Sequence, residues 1–293
     1  MKHTLKTLTA AAMLSGSAFG ANTMFADGDL VMYFQELGGD EVVYANLGSA
    51  ASYRGTAAGK ADAVPVINIA GLESLGATLN SAFGPGWQSN TNLFVGIAGA
   101  FANVEAPIVE DGDPWRTSYV SSARNTIGNI FQKNSTTKSV SGNGAMTTVS
   151  SGIIQMNTAF RNGPNQTVGT FGVGSSTIDE QNPINVVAGN VSQGPAFSSF
   201  SGGNQQRGGA SALGTVSDFG IGSVEFALDL YRLYGDTDTA LPGAVSASRG
   251  QGTYEGTFFL RTDGNVSFVP EPSSLALVGL GAGVLAFRRR RNA

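Results

Sequence analysis

Short stretches that are apolar throughout, or that alternate between apolar and polar residues, recur along the chain, and both patterns are typical of β-strands. They lie at residues 30–34, 42–47, 64–70, 93–98, 224–230, 257–261 and 266–269. Gly38-Gly39-Asp40 separates the first two stretches and Asp263-Gly264 the last two, so we expect a hairpin at each place. Glu225 and Asp229 alternate with the apolar residues of 224–230, which predicts a half-buried strand with both carboxylates on its polar face.

Apolar residues three or four positions apart predict helices in three other places. The first stripe is Leu72, Leu75, Leu79 and Phe83, which ends at the helix breaker Gly84-Pro85-Gly86. The second runs from Val120 to Phe131 and overlaps residues 115–120, which also fit a strand; the third runs from Met146 to Phe160. Such stripes are usually core faces, so they indicate no ligand. Trp87 is also more typical of a core residue than of a sugar-binding one.

These elements predict a mainly β fold, an antiparallel β-sandwich-like domain from Asp27 to Val269 with two or three helices packed against it. Residues 161–215 are rich in Gly, Ser, Asn and Gln, and we expect mobile surface or short edge strands there. An N-terminal signal helix and a short C-terminal transmembrane helix are expected to flank this domain.

The N-terminal residues 1–26 have the layout of a secretory signal peptide. Lys2 and Lys6 precede an apolar stretch of small residues, and the segment contains no acid. Cleavage could follow Gly20 or Ala26, since small residues stand before both positions. The segment therefore predicts export of the protein.

The C-terminal residues 270–293 begin with Pro270-Glu271-Pro272-Ser273 and continue with an uncharged run from Leu275 to Phe287. Four consecutive basic residues follow the run, and they form the arginine cluster: Arg288, Arg289, Arg290 and Arg291. Counted from Ser273, the run is about 22 Å long as a helix at 1.5 Å per residue. That is short against a hydrocarbon core of ~30 Å, so flanking residues would have to reach the interfaces. The arginine cluster would remain cytoplasmic and retain the segment in the membrane, which places the preceding domain on the other side.

The motif Val269-Pro270-Glu271-Pro272-Ser273, the small-residue apolar segment and the arginine cluster together resemble the PEP-CTERM sorting signal of Gram-negative bacteria. The resemblance implies recognition by exosortase, a membrane-embedded cysteine transpeptidase, and processing near the Pro-Glu-Pro motif. It also implies that the inner membrane and the export machinery are transient partners. An ordinary C-terminal membrane anchor is the alternative interpretation of the same residues.

The charge of the chain argues against nucleic acid as a partner. Only 13% of the residues are charged, whereas roughly 25% is usual in a soluble protein. Without Lys2, Lys6, the arginine cluster and Glu271, the central part keeps 11 basic and 20 acidic residues, a net charge of −9. This part has no basic cluster that would bind phosphates.

The central part also lacks histidine and cysteine, because His3 lies in the signal peptide and the chain has no Cys. This excludes catalysis by Ser-His-Asp or Cys-His groups and metal sites that need imidazole or thiolate ligands. Catalysis and metal binding that need only carboxylates are not excluded. Glu110-Asp111-Gly112-Asp113 and Asp236-Thr237-Asp238 could line calcium loops, although neither has the full loop spacing. Glu225 and Asp229, about 13 Å apart along a strand, are a poor glycosidase pair.

We therefore expect no metal, no cofactor and no catalysis. The sequence favours an exported matrix or cell-surface protein with a structural role or an interaction with polysaccharide, and exopolysaccharide is its candidate ligand. The alternative is a secreted carbohydrate-active enzyme whose Asp or Glu pair is assembled across strands.

Overall fold

The computed structural model describes residues 19–20, 26, 28–36, 41–54, 67–101, 113, 117–124, 127–128, 130, 153–154, 168–172, 214–216, 220–233 and 252–270. The structure in these residues is mainly β, as the sequence predicts. The strands are β1 (Phe19–Gly20), β2 (Asp29–Glu36), β3 (Glu41–Ser49), β4 (Ile67–Ala70), β5 (Leu93–Ala100), β6 (Ser118–Ala123), β7 (Val168–Gly172), β8 (Gly214–Val216), β9 (Gly222–Leu233), β10 (Gly252–Arg261) and β11 (Val266–Pro270).

The strands form one hydrogen-bonded sheet in the order β1-β4-β11-β10-β9-β6-β5-β2-β3-β7, with β8 beside β9. Every pair is antiparallel except β1 with β4. We predicted the two stacked sheets of a sandwich; in the described residues a single curled sheet takes their place. The curl brings β1, at one end of the strand order, into contact with β3, near the other end. The sheet thus covers its own apolar face.

Both predicted hairpins are confirmed. β2 pairs with β3 from Asp29 opposite Ser49 to Gln35 opposite Val42, and β10 pairs with β11 from Gly256 opposite Pro270 to Leu260 opposite Val266. In the second hairpin the turn residue Gly264 has a φ of 82°, which glycine adopts without strain.

Helix α1 (Leu75–Phe83) confirms the first helical stripe and ends at Gly84. It contacts β3 and β7, and its N-terminal turn lies on the β10–β11 turn, where a Cβ on Gly264 would be 2.6 Å from the Cα of Gly76. The helix therefore joins distant parts of the sheet order. In the described residues it is accompanied by two 3₁₀ turns, Ala50–Tyr53 and Trp87–Ser89, and by helical residues 153–154.

The structure does not confirm the second predicted helix, and it describes only two residues of the third. The helix predicted from Val120 to Phe131 is wrong where it can be judged, because residues 118–123 are strand β6, paired with both β5 and β9. Pairing on two sides outweighs the weak helical spacing. Of the stripe from Met146 to Phe160, residues 153–154 are helical and the others lie outside the described residues. Within 161–215, β7 forms one end of the strand order.

One large apolar cluster fills the inside of the curl. Its members come from β2 to β6, from β9 to β11 and from α1, and include Leu30, Met32, Phe34, Val43, Leu79, Ile97, Leu228, Leu230, Phe258 and Phe268. Trp87 lies between two distant strands in this cluster. Its ring stacks on Phe226 of β9 at 6.3 Å and meets Phe34 of β2 edge-on at 6.5 Å. The predicted core role of Trp87 is confirmed, with 1% of the residue exposed.

The opposite face of the sheet is covered as well. A second apolar cluster packs Ile127 and Ile130 against strand residues of β8 to β11, namely Val216, Val224, Ala227, Phe259 and Val269. On β2, Val31, Tyr33 and Gln35 are also buried on this face. Polar residues on the covered strands must therefore find partners inside the protein.

Candidate functional site

The predicted sorting motif begins inside the sheet rather than after it. Strand β11 lies between β10 and β4: Val269 pairs with Thr257 of β10, and Ser267 and Phe268 pair with β4 on the other side. The Ser267 hydroxyl also donates to the side-chain oxygen of Asn68 in β4 at 2.8 Å. Pro270, the first residue of the Pro-Glu-Pro motif, is the last residue of the strand and stands opposite Gly256.

β11 also belongs to both apolar clusters. The ring of Phe268 lies 4.6 Å from that of Phe258 and 5.0 Å from that of Tyr53 in the inner cluster. Val269 points to the opposite face and is fully buried in the second cluster. Pro270 is partly exposed. The strand that leads into the sorting signal is thus a central part of the fold.

Gly256 permits this close packing at the end of β11. Its φ of 150° coincides with an irregularity in the β9–β10 register between Tyr254 and Gly256. A Cβ at this position would lie 2.4 Å from the carbonyl oxygen of Val269 and 2.8 Å from the Cα of Pro270. No side chain fits there without displacing the backbone of the motif.

A buried ionic network surrounds Asp113 and includes Arg232, close to the C-terminal end of β9. Asp113 binds the guanidinium groups of Arg54 and Arg232. The Tyr119 hydroxyl donates to Asp113 at 2.6 Å and accepts from Arg54 Nε at 2.7 Å. All three charged residues are at most 7% exposed. The two guanidinium groups compensate the buried charge of Asp113.

This network argues against Asp113 as a calcium ligand. Asp113 belongs to the Glu110-Asp111-Gly112-Asp113 candidate, yet both of its oxygens face cations of the protein itself. Burial raises the pKa of the Asp113 carboxyl, and the nearby Arg232 and Arg54 oppose that rise. The remaining acids of this candidate, and Asp236-Thr237-Asp238, lie outside the described residues. Within those residues no group of three acids is arranged to hold a metal ion.

A second network crosses the outer face of the sheet. Arg124, directly after β6, binds Asp229 of β9 through Nε and donates to the Thr257 hydroxyl at 2.9 Å and to Tyr254 at 3.2 Å. Thr257 in turn donates to Asp229 at 2.7 Å, which leaves the Tyr254 hydroxyl as donor to Thr257 at 2.7 Å. Arg124 also donates to the Ile127 carbonyl at 3.0 Å. The network ties β6, β9 and β10 together.

The prediction of a half-buried strand, with Asp229 on its polar face, is therefore wrong for Asp229. Its side chain is fully buried, because residues outside the sheet cover that face and Arg124 compensates the charge. Glu225 is half-buried, and burial raises the pKa of its carboxyl. The strand prediction itself is confirmed, since Gly222–Leu233 form β9.

Sequence reasoning missed the arginines in both networks. Arg54 follows a tyrosine and Arg124 a run of small residues, and neither position shows a periodic signal. The position of Asp229 between Leu228 and Leu230 was the one sequence signal for such a network. A lone acid within an apolar strand needs a buried partner when both faces of the strand are covered.

Only the first two of the predicted sorting residues lie in the described part of the chain. Val269 and Pro270 belong to β11. The rest of the motif and the whole arginine cluster lie outside the described residues, namely Glu271, Pro272, Ser273, Arg288, Arg289, Arg290 and Arg291. The structure therefore places the start of the motif, and the predicted membrane retention by the four arginines stays a prediction.

The predicted signal peptide and membrane helix also lie largely outside the described residues. Within the signal segment, Phe19–Gly20 form β1, and the Ala26 N–H donates to the buried Asp29 carboxylate at 2.7 Å. Among the helices of the described part of the chain, none is long and apolar enough to cross a membrane.

Comparison with protein families identifies the C-terminal segment. The PEP-CTERM protein-sorting motif matches residues 268–291, a range that includes the arginine cluster. The chain therefore carries a PEP-CTERM sorting motif, which indicates exosortase-dependent export with a membrane-associated sorting step and makes exosortase the sorting partner. The match begins at Phe268 and so overlaps the last three residues of β11. No match was found among curated proteins or solved structures.

Proposed function

We propose that this protein is an exported component of the cell surface or extracellular matrix with a structural or polysaccharide-interaction role and no catalysis of its own. After passage through the inner membrane, the C-terminal segment anchors it transiently, and exosortase processing then passes it to the surface or matrix. The observation that carries the proposal is the sorting motif at residues 268–291, which continues directly from the last strand of the domain.

The buried charges support a structural role for the sheet. Asp113 and Asp229 are each bound to arginine. A glycosidase requires one carboxyl group that gives a proton and another that stabilises positive charge at the sugar. An aspartate held by buried guanidinium groups is poorly suited to either task, so these two acids do not support the alternative of a carbohydrate-active enzyme.

The charge of the exported part suggests how it would meet an anionic polymer. With a net charge of −9 between Asp27 and Val269, the domain is repelled by acidic polysaccharide unless divalent cations lie between them. Hydroxyl and amide groups, abundant in this chain, bind neutral sugar hydroxyls without a cofactor. We therefore expect binding to neutral polymer at all times and to acidic polymer only with divalent cations.

The test is cosedimentation of the protein, purified from the medium or surface fraction of native cells, with insoluble exopolysaccharide from the same cells. We expect the protein in the pellet with polymer and in the supernatant without it, and we expect calcium to raise binding to an acidic polymer. Release of reducing sugar from the polymer during the same incubation would favour the enzyme. Absence of both binding and sugar release would contradict the polysaccharide role and leave the sorting role standing.

A further inference from the structure

We propose that processing of the C-terminal signal cuts the chain at the Pro270–Glu271 bond or at a later bond, so that the mature domain keeps the whole of β11. The inference rests on the proposed function, in that it assumes a cut. Beyond that function, we infer that the folded sheet excludes a cut within β11.

Strand β11 is paired on both sides. Its residues are paired with β10 along its full length, from Val266 opposite Leu260 to Pro270 opposite Gly256. On its other side Ser267 and Phe268 pair with β4. Proteases bind substrate segments in extended form along their own active-site strands. Residues 266–270 already pair with neighbouring strands inside the sheet. A protease therefore cannot reach the peptide bonds between them while the domain is folded.

Freeing β11 from the sheet would also require energy, because its side chains are part of both apolar clusters. Removing β11 would take Phe268 away from the rings of Tyr53 and Phe258 and Val269 out of the second cluster. Burial of such apolar side chains is the main stabilising contribution to folding. Because native domains are only marginally stable, losing several of these side chains together would remove much of the stability of the fold. A cut before Pro270 would thus require an unfolded substrate.

The uncharged apolar run follows β11 after only a few residues. Four residues, 271–274, separate β11 from the uncharged run that begins at Leu275. Fully extended, four residues reach at most about 14 Å. A membrane-embedded enzyme therefore meets the C-terminal end of strand β11 directly upstream of Glu271, and the sheet limits how far the substrate can enter.

The cut breaks one backbone C–N bond. The carbonyl carbon passes to a nucleophile, and the released amine of the C-terminal fragment takes up the nucleophile's proton. If water is the final acceptor, the domain ends in a carboxylate. If an amine or hydroxyl compound is the acceptor, the domain carries that compound and its mass shows the addition.

The full-length gene is expressed in native cells, and the C-terminal residue of the recovered protein is determined by intact mass and by sequencing of the last peptide. We expect a C-terminus at Pro270 or a later residue, without the arginine cluster. A C-terminus at Val269 or earlier would overturn the inference while leaving processing intact. A C-terminus at Ala293 in every fraction would overturn both the inference and the processing step of the proposed function.

Limited proteolysis of the purified full chain with a protease of broad specificity tests the protection separately from exosortase. We expect cuts after residue 270 and none between Val266 and Pro270. Gly256→Ala should expose 266–270 to the protease, whereas Gly86→Ala, at an open position with nothing within 4 Å, should not. Cuts within 266–270 of the folded wild type would contradict the inference even if Gly256→Ala fails to fold.

Discussion

Gly256 of β10 and Val269 of β11 approach each other so closely that a Cβ on the glycine would lie 2.4 Å from the carbonyl oxygen of the valine. This contact fixes the strand that leads into the sorting motif. Because a methyl group must displace backbone here, we expect Gly256→Ala to lower the free energy of unfolding by about 2–4 kcal/mol, from overpacking and backbone strain. Urea denaturation followed by circular dichroism measures this loss.

The control for this substitution is Gly86→Ala, since a Cβ at Gly86 meets nothing within 4 Å. We expect a change of about 0.5 kcal/mol or less, as for ordinary surface sites. Equal effects of the two substitutions would show that the β10–β11 contact has no special role.

The pair of Arg124 and Asp229 should be far more important for stability than a surface ion pair. Asp229→Ala leaves the buried guanidinium without its carboxylate, and breaking a buried pair in this way costs about 3–5 kcal/mol. Asp263→Asn is the control, because Asp263 lies 3.4 Å from Arg261 with 56% of its side chain exposed, and such pairs contribute about 0–1 kcal/mol. Denaturant midpoints compare the two variants, and a loss below about 1 kcal/mol for Asp229→Ala, the range of an exposed pair, would contradict the buried network.

Trp87 should be a major contributor to the inner cluster. Its removal in Trp87→Ala leaves a cavity between Phe34 and Phe226 and should cost about 3–5 kcal/mol. Trp87→Phe keeps part of the contact with both rings and should cost clearly less. Chemical denaturation of both variants provides the comparison. Similar stability of Trp87→Ala and wild type would place the indole outside the core.

The buried tyrosines predict a loss of stability at high pH. Burial raises the pKa of Tyr33 and Tyr119 well above the ordinary value of 10.0. Burial also raises the pKa of Tyr53, and the Asp29 carboxylate raises it further. The unfolded chain therefore releases these protons first, so stability is intact below about pH 10 and falls as the pH rises above it. Absorbance of tyrosinate during alkaline titration should rise together with unfolding; full ionisation of all tyrosines in the folded protein would contradict this burial.

The sequence predicted most strands because their patterns are local. The alternation at 224–230 and the Asp-Gly turn at 263–264 correspond directly to β9 and the terminal hairpin. The way in which the strands close could not be predicted, since pairing such as β6 with β9 joins residues more than a hundred positions apart. For that reason the single curled sheet replaced the expected sandwich.

The candidate site was partly accessible to sequence reasoning. The sorting motif has a linear pattern, so Val269, Pro270 and the residues after them were identified without any structure. That Val269 is buried and that Pro270 pairs with Gly256 depends on contacts between strands. The burial of Asp229 likewise depends on Arg124, which lies 105 positions away.

We propose that the C-terminal signal directs export and processing of a domain that folds up to Pro270. The most direct test compares the wild type with a Glu271→Ala/Pro272→Ala variant, which changes the motif but spares the buried Val269. Intact masses are measured in the membrane and medium fractions of native cells. We expect the wild type outside the membrane without the arginine cluster, and the variant in the membrane with all four arginines. Retention of the arginine cluster by both proteins, in the membrane, would contradict the account and make the segment an ordinary anchor.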